Sequence, residues 1–354
     1  MRNYRVGVIG RTGRGNYGHR LDLVWKTLPN TEVVAVADEN AEGLRQASER
    51  LGVRAAYSDF QKMLRQERPD IVAIATRFPE THLEMVLAAA EARAAGIYMD
   101  KPISRTPLEA DRMLAACSRA GTKLSVAHQM RISPLIEMAK QRVASGAIGD
   151  LLEMRGRGKE DARAGGEDLV ILGTHIFDLM RQFAGDPEWC FGRVTAGGRD
   201  IQRRDIDESK EGAGPIAGDA IAAAYGFAGG LTGYFASKRS GDVSGKRWGL
   251  DLYGSKGVLA IRADMANPVV SISESSDWTG ASWTPLTVAP RTPDDANRAL
   301  VLDLMEAIEQ NREPKAGGRE ALWALEMALA VYESQLHGAR SRFPLSNRAH
   351  PLAS

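Results

Sequence analysis

Short apolar runs alternate with amphipathic stretches through the first 128 residues. Arg5–Ile9, Glu32–Ala37, Ala55–Tyr57, Ile71–Thr76, Ile97–Met99 and Lys123–Ala127 read as strands. Between them, apolar residues recur at steps of three and four: Leu21, Val24 and Leu28; Leu44, Ala47 and Leu51; Phe60, Met63 and Leu64. An Ala-rich stretch, Leu83–Ala95, and Pro107–Ala120 complete the set, and this spacing predicts helices. Strands separated by helices of this length make βαβ units with right-handed crossovers. Ile71–Thr76, apolar throughout, suits a strand covered on both faces of a parallel sheet.

Past residue 128 the rhythm changes. Ser133-Pro134 is a helix start, with an N-cap and a proline in the first turn. Leu151–Gly158 reads as a strand and Leu169–Phe183 as a helix. Alternating runs at 220–227, 231–237, 248–252, 258–262, 269–274 and 283–288, set off by turn residues, predict an antiparallel sheet. Two helices close the chain, the second with Leu322, Leu325, Leu329, Tyr332 and Leu336 on one face.

The chemistry begins at the first strand. It runs into Gly10-Arg11-Thr12-Gly13-Arg14-Gly15-Asn16-Tyr17-Gly18-His19, and a helix is expected after it. Strand, glycine-rich turn and helix form the setting in which a diphosphate is cradled, by close backbone approach and a helix N-terminus. Gly10 and Gly15 fit the first and third motif positions, with Thr12 in place of the middle glycine. An unbroken G-x-G-x-x-G falls at Gly13, Gly15 and Gly18. The second strand ends in Asp38, 28 residues after Gly10, where an acid accepts ribose hydroxyls and repels a 2′-phosphate. That favours NAD, while Arg11 and Arg14 leave NADP open. The expected architecture is therefore α/β: an N-terminal Rossmann dinucleotide-binding domain over residues 1–128, then a C-terminal α/β domain over 129–354. The second domain is expected to have a large, mainly antiparallel open sheet, and the final helices are free to pack back on the first domain.

Composition narrows the partners. Lys plus Arg total 46 against 45 for Asp plus Glu, which gives no basic footprint for nucleic acid and no polybasic membrane anchor. The longest uncharged run, Ala220–Ser237, is broken by glycines and falls short of a membrane span. Met1–Arg5 passes directly into a strand, so no signal peptide is expected and the cytoplasm is the expected compartment. Cys117 and Cys190 make neither a metal-ligand spacing nor a disulfide framework, and no metal site is expected.

The organising stretch is Gly96–Pro102. An apolar strand ends in Asp100-Lys101-Pro102, which puts Lys101 at the carboxyl rim of a parallel sheet, where ligands gather. With Ala75-Thr76 and His82, Arg131 with Pro134, Gly173-Thr174-His175 with Asp178, Tyr253–Gly257, and Glu313-Pro314 with Glu320 and Glu326, the chain resembles the Gfo/Idh/MocA oxidoreductases. They mostly act on sugars, polyols and related compounds. The family usually has Glu-Lys-Pro; Asp100 stands in the glutamate position, within reach of a cofactor hydroxyl.

The resemblance implies that Lys101 touches the reacting hydroxyl, that the Lys-Pro bond is often cis, and that Gly10, Thr12, Gly13, Gly15, Asp38, Thr76, His82 and Asp100 hold the cofactor. It also implies oligomer contacts through the open sheet, as a homodimer or homotetramer. His175 is the expected general acid/base. Many members carry an Asp four residues before that histidine; Ile171 stands there, leaving Asp168 or Asp178 as the substitute. Glu160, Asp161, Arg163 and Asp168, in the charged loop 159–168, with Arg131, are the expected contacts to a polyhydroxylated substrate. A redox-assisted glycosidase or lyase with retained NAD, and a non-catalytic dinucleotide-dependent regulator, are the alternative readings.

Overall fold

The computed structural model describes residues 2–238, 245–279 and 282–353, and the chain divides into two compact units. The first comprises Met1–Gln129 and Arg291–Leu322, the second Met130–Pro290 and Trp323–Ser354.

The first unit is built on six parallel strands: β1 (Tyr4–Ile9), β2 (Thr31–Ala37), β3 (Ala55–Tyr57), β4 (Ile71–Ile74), β5 (Gly96–Met99) and β6 (Lys123–Val126). Their order is β3-β2-β1-β4-β5-β6, so the chain reverses direction of growth between β1 and β4. β4 and β5 are buried along their whole length, as their uninterrupted apolar sequence requires. Of the connecting helices α1 (Ala41–Leu51), α2 (Phe60–Glu67), α3 (His82–Glu91) and α4 (Pro107–Ala120), all but α3 begin at a side-chain cap. Asn40 accepts from Gly43 N–H, Asp59 from Gln61 N–H, and Thr106 from Glu109 N–H with Pro107 in the first turn.

One expected helix is absent. After the glycine-rich loop, Gly18–Arg20 and Val24–Thr27 form short 3-10 turns instead. His19 and Arg20 have φ of 47° and 62°, left-handed values that no α-helix tolerates. Side chains then take carbonyls that helical N–H groups would use: Trp25 Nε1–H binds Leu21 O at 2.9 Å and Thr27 Oγ1 binds Val24 O at 2.6 Å. The apolar spacing of Leu21, Val24 and Leu28 thus buries three side chains without a helix.

In the second unit, α5 (Pro134–Ala144) precedes β7 (Leu151–Arg157), α6 (Gly166–Ile171) and α7 (Gly173–Ala184). The single helix expected over Leu169–Phe183 is two, broken at Leu172. Then follow β8 (Trp189–Ala196), β9 (Arg199–Asp200), β10 (Ile206–Glu208), β11 (Pro215–Ala217), β12 (Ala220–Gly226), β13 (Thr232–Lys238), β14 (Gly249–Gly254), β15 (Val258–Arg262), β16 (Val269–Ser273) and β17 (Thr284–Leu286). Helices α8 (Pro293–Gln310) and α9 (Gly318–His337) precede a last strand, β18 (Ser341–Arg342).

Ten strands form one sheet, β17-β16-β15-β14-β7-β13-β12-β8-β18, with β9 on β8; every pair is antiparallel except β13 with β7. Glycines admit the helices that cover one face: a Cβ on Gly156 would lie 2.6 Å from Ile176 and Met180 of α7, and one on Gly192 2.8 Å from Val331 of α9. On β8, β13 and β16, Phe191, Tyr234 and Val269 remain 49%, 44% and 60% exposed. Helix α8 belongs to the first unit and packs there on β5 and β6, tied by Tyr98 Oη–H to Asn297 at 2.9 Å.

Candidate functional site

The loop after β1 is stitched to its own surroundings. Thr12 donates from N–H and Oγ–H to the buried Asp38 carboxylate, at 3.0 and 2.7 Å, and Asn40 N–H adds a third donor at 2.9 Å. Asp38 therefore ends β2 by clamping the loop. Gly10 lies directly under the Tyr17 ring, with which any side chain there would collide. A Cβ on Gly15 would meet Thr76, and one on Gly18 would meet both Arg77 and Asp100. Gly13 differs: its φ is +89° and nothing lies within 4 Å of its Cβ position, so space is free beside its Cα, although its N–H binds Asn16 Oδ1. Arg11 pairs with Glu39 and Glu80, and Arg14 with Glu80.

At the ends of β4 and β5, Thr76 donates to Arg14 O at 3.2 Å. The fully buried His82 sits between carbonyls, Thr76 O at 2.9 Å from Nε2 and Pro102 O at 3.0 Å from Nδ1, so it braces the two strand ends. Burial lowers its pKa despite those acceptors. Asp100, also fully buried, accepts from Lys101 N–H at 2.9 Å and lies 2.8 Å from His19 Nδ1. Burial alone would raise its pKa; the charge and hydrogen bond of His19, helped by Lys101, win and hold it below the usual carboxylate range. Lys101 is buried, and the Lys101–Pro102 bond is cis.

In the second unit His175 is buried on α7, its ring edge-to-face with Trp248 at 5.7 Å. Asp178, three residues on, accepts from Arg131 Nε at 2.8 Å and Gln182 Nε2 at 3.0 Å. Ile171 is a buried apolar residue of α6. The acids of loop 159–168 are engaged in fastening it. Asp168 takes Ser237 Oγ–H at 2.6 Å and the N–H groups of Lys159 and Glu160, and burial raises its pKa. Glu160 binds Lys238 N–H at 2.9 Å, Arg247 at 2.6 Å and Arg157 at 3.1 Å. Asp161 and Arg163 pair with each other, and Arg163 reaches Glu211 at 2.9 Å.

Glycine loop, Asp38, Thr76, His82, Asp100 and Lys101 thus gather at one end of the parallel sheet, while the loop acids form a separate network in the second unit. Sequence reasoning passed over His19 and Arg77; their signal was their position, one inside the glycine run and the other at the end of β4. Among the described residues no group of His, Cys, Asp and Glu side chains could hold a metal, and no helix is long and apolar enough to cross a membrane.

A six-stranded parallel sheet with a glycine loop after its first strand and an acid after its second defines a dinucleotide-binding Rossmann protein. Residues 4–128 match the model of an oxidoreductase family with an NAD-binding Rossmann fold, and residues 136–260 match the GFO/IDH/MocA C-terminal domain. The chain belongs to the Gfo/Idh/MocA oxidoreductase family, and its cofactor is NAD.

Among its relatives, D-apiose dehydrogenase of Paraburkholderia graminis is 28% identical, over 89% of this chain and 84% of that protein. Myo-inositol 2-dehydrogenase of Thermotoga maritima is 27% identical, over 77% of this chain and 79% of its own. Levoglucosan dehydrogenase, solved in complex with NADH and levoglucosan, superimposes with a TM-score of 0.79 at 20% identity, covering 97% of this chain and all of that one. The residues at the first unit's site fit NAD: space is free beside Gly13, and both arginines suited to a 2′-phosphate are paired with acids.

Proposed function

We propose that the protein is an NAD-dependent dehydrogenase that moves a hydride between the nicotinamide and a hydroxyl carbon of a sugar, polyol or related compound. Lys101 and His175 serve the reacting hydroxyl. The observation that carries this reading is Lys101 itself: a buried ammonium at the carboxyl end of β5, its backbone fixed by Asp100, in an NAD-binding unit. The names of the relatives, dehydrogenases of apiose, inositol and levoglucosan, support the substrate class.

NAD, when bound, supplies the hydride acceptor. His175 takes the hydroxyl proton, an imidazole being able to accept and return one near neutrality. The Lys101 ammonium stabilises the alkoxide as it develops. Asp178, on the helix of His175, is the acid we assign to steady it; Asp168 is committed to the backbone of the loop. Glu160, Asp161 and Arg163 then shape the substrate loop, and Arg131 balances Asp178. The exposed Phe191, Tyr234 and Val269 support a homodimer or homotetramer formed through the sheet face, which light scattering would read directly.

The test is NADH formation across a panel of sugars and polyols, with His175→Ala and Lys101→Met beside the wild type. Each variant is expected to lose roughly 10²–10⁴-fold in kcat at unchanged NADH affinity. Turnover within severalfold of wild type would remove that residue from the mechanism. Product formed with no net NADH would instead favour a redox-assisted lyase or glycosidase.

A further inference from the structure

We propose that Arg77 binds the diphosphate of the dinucleotide, supplying the positive charge that a helix N-terminus provides where one follows a glycine loop. This rests on the NAD-binding reading of the first unit and adds a residue that neither the motif nor the resemblance named.

A diphosphate is ordinarily held by free backbone N–H groups and the positive end of a helix. Here no α-helix follows the loop, and the left-handed turn at His19 and Arg20 ends any run of aligned peptides. Most of the loop's N–H groups are already bonded within the protein. Thr12 N–H binds Asp38, Gly13 N–H binds Asn16 Oδ1 at 2.9 Å, and Arg14 and Asn16 N–H both bind Arg11 O. Gly18 N–H binds Ala75 O at 2.6 Å. The backbone cradle is therefore largely closed, and a doubly charged ligand needs a side-chain cation.

The cations around the loop are mostly paired. Arg11 and Arg14 share Glu80, Arg20 binds Asp294 at 2.7 Å, and Arg50 binds Asp22 at 2.7 Å. Arg77 differs from them. Among the described residues its guanidinium has neither an ion pair nor a hydrogen bond, although the residue is half-buried. Its position is nonetheless fixed. It lies three residues beyond β4, at the carboxyl end of the sheet, and its N–H reaches Gly15 O at 3.4 Å. Its side-chain stem lies against Gly18, where a Cβ would collide with Cγ and stand 3.0 Å from Cδ. A half-buried arginine, anchored on the glycine loop and unpaired, matches a phosphate oxygen pair in charge and in its forked donor geometry.

Arg77→Gln keeps the stem on Gly18 and removes the charge. Binding of NADH, ADP-ribose and adenosine to the intact protein, measured by NADH fluorescence and titration calorimetry, tests the proposal. NADH and ADP-ribose, which contain the diphosphate, are expected to weaken roughly ten- to hundredfold, with adenosine unchanged. Arg77→Lys should fall between, since a point charge replaces the fork. NADH affinity within twofold of wild type in Arg77→Gln would overturn the proposal. So would an equal loss for adenosine, which would make Arg77 a residue of the fold. A wild-type protein that bound neither NADH nor ADP-ribose would overturn the nucleotide reading beneath it; NADH binding without polyol oxidation would overturn only the dehydrogenase assignment and leave Arg77 standing.

Discussion

His19 Nδ1 lies 2.8 Å from Oδ2 of Asp100, a carboxylate with no exposed surface, so the glycine loop and the lysine-bearing strand are joined by a part-buried hydrogen-bonded pair. Removing the imidazole leaves the buried carboxylate short of one hydrogen-bond partner. His19→Ala is expected to cost about 2 kcal/mol of stability in the first unit, the penalty of a buried acceptor left without its partner, and adding Asp100→Asn should recover part of it. Denaturant unfolding of the single and double variants checks this. The pH dependence follows from the sign of the shift. Asp100 is held below its unfolded value, so its contribution is complete above that value and is lost as pH falls through the lowered one. Equal stability of His19→Ala and wild type at neutral pH would show that the pair contributes nothing.

The same contact separates two glycines that the motif treats alike. A Cβ at Gly18 would strike Asp100 and the Arg77 stem, whereas at Gly13 it would meet nothing within 4 Å and only the φ of +89° opposes it. Gly13→Ala is expected to cost about 1 kcal/mol, the price of a left-handed non-glycine residue. Gly18→Ala should cost about 2–3 kcal/mol and also weaken NADH binding, because overpacking displaces both Asp100 and Arg77. Thermal unfolding and NADH titration of the two variants would reveal the order; equal costs would refute the packing argument.

The parallel sheet was legible because apolar runs such as Ile71–Ile74 and Ile97–Met99 admit no other home than a doubly covered strand. Asp38, Asp100 and Lys101 were legible for the same reason, since strand ends are fixed by the strands. The missing helix after Gly18 was not. Leu21, Val24 and Leu28 have helical spacing and are buried, but left-handed backbone at His19 and Arg20, set by docking on Asp100, overrides the spacing. Loop 159–168 reads by composition as a solvated or ligand-facing segment. Its acids instead find partners as distant in sequence as Ser237 and Arg247, which periodicity alone does not disclose.

Glu160 tests whether that loop is fastened or ligand-facing. Its carboxylate is buried and takes Lys238 N–H, Arg247 and Arg157 together. Glu160→Gln keeps the size but loses the charge facing two guanidiniums, and about 2 kcal/mol of stability should go with it. NADH affinity should be unchanged. The contrast is with a substrate contact, for which KM would rise tenfold or more while the melting temperature held. Steady-state kinetics beside thermal unfolding distinguishes the two.

His350 gives the chain an acid sensitivity with a definite sign. It is buried against Tyr332 of α9, ring centroids 6.2 Å apart, and its Nδ1 accepts Leu352 N–H at 3.2 Å. Burial pushes its pKa down to about 4. The neutral ring is the one that fits, because a protonated Nδ1 could no longer accept. As pH falls, the unfolded chain takes up this proton first, near ~6.5, and the folded chain only near the lowered value. The stabilisation is therefore complete above the unfolded value and is lost progressively down to the folded one, about 3 kcal/mol in all. Buried His82, also lowered, acts in the same direction. His350→Phe keeps an aromatic ring beside Tyr332 and cannot titrate. Its stability difference between pH 7.5 and 4.5 should be smaller than that of wild type by about 2 kcal/mol, measured by urea unfolding at the two pH values. An identical pH dependence in the variant would place the acid sensitivity elsewhere.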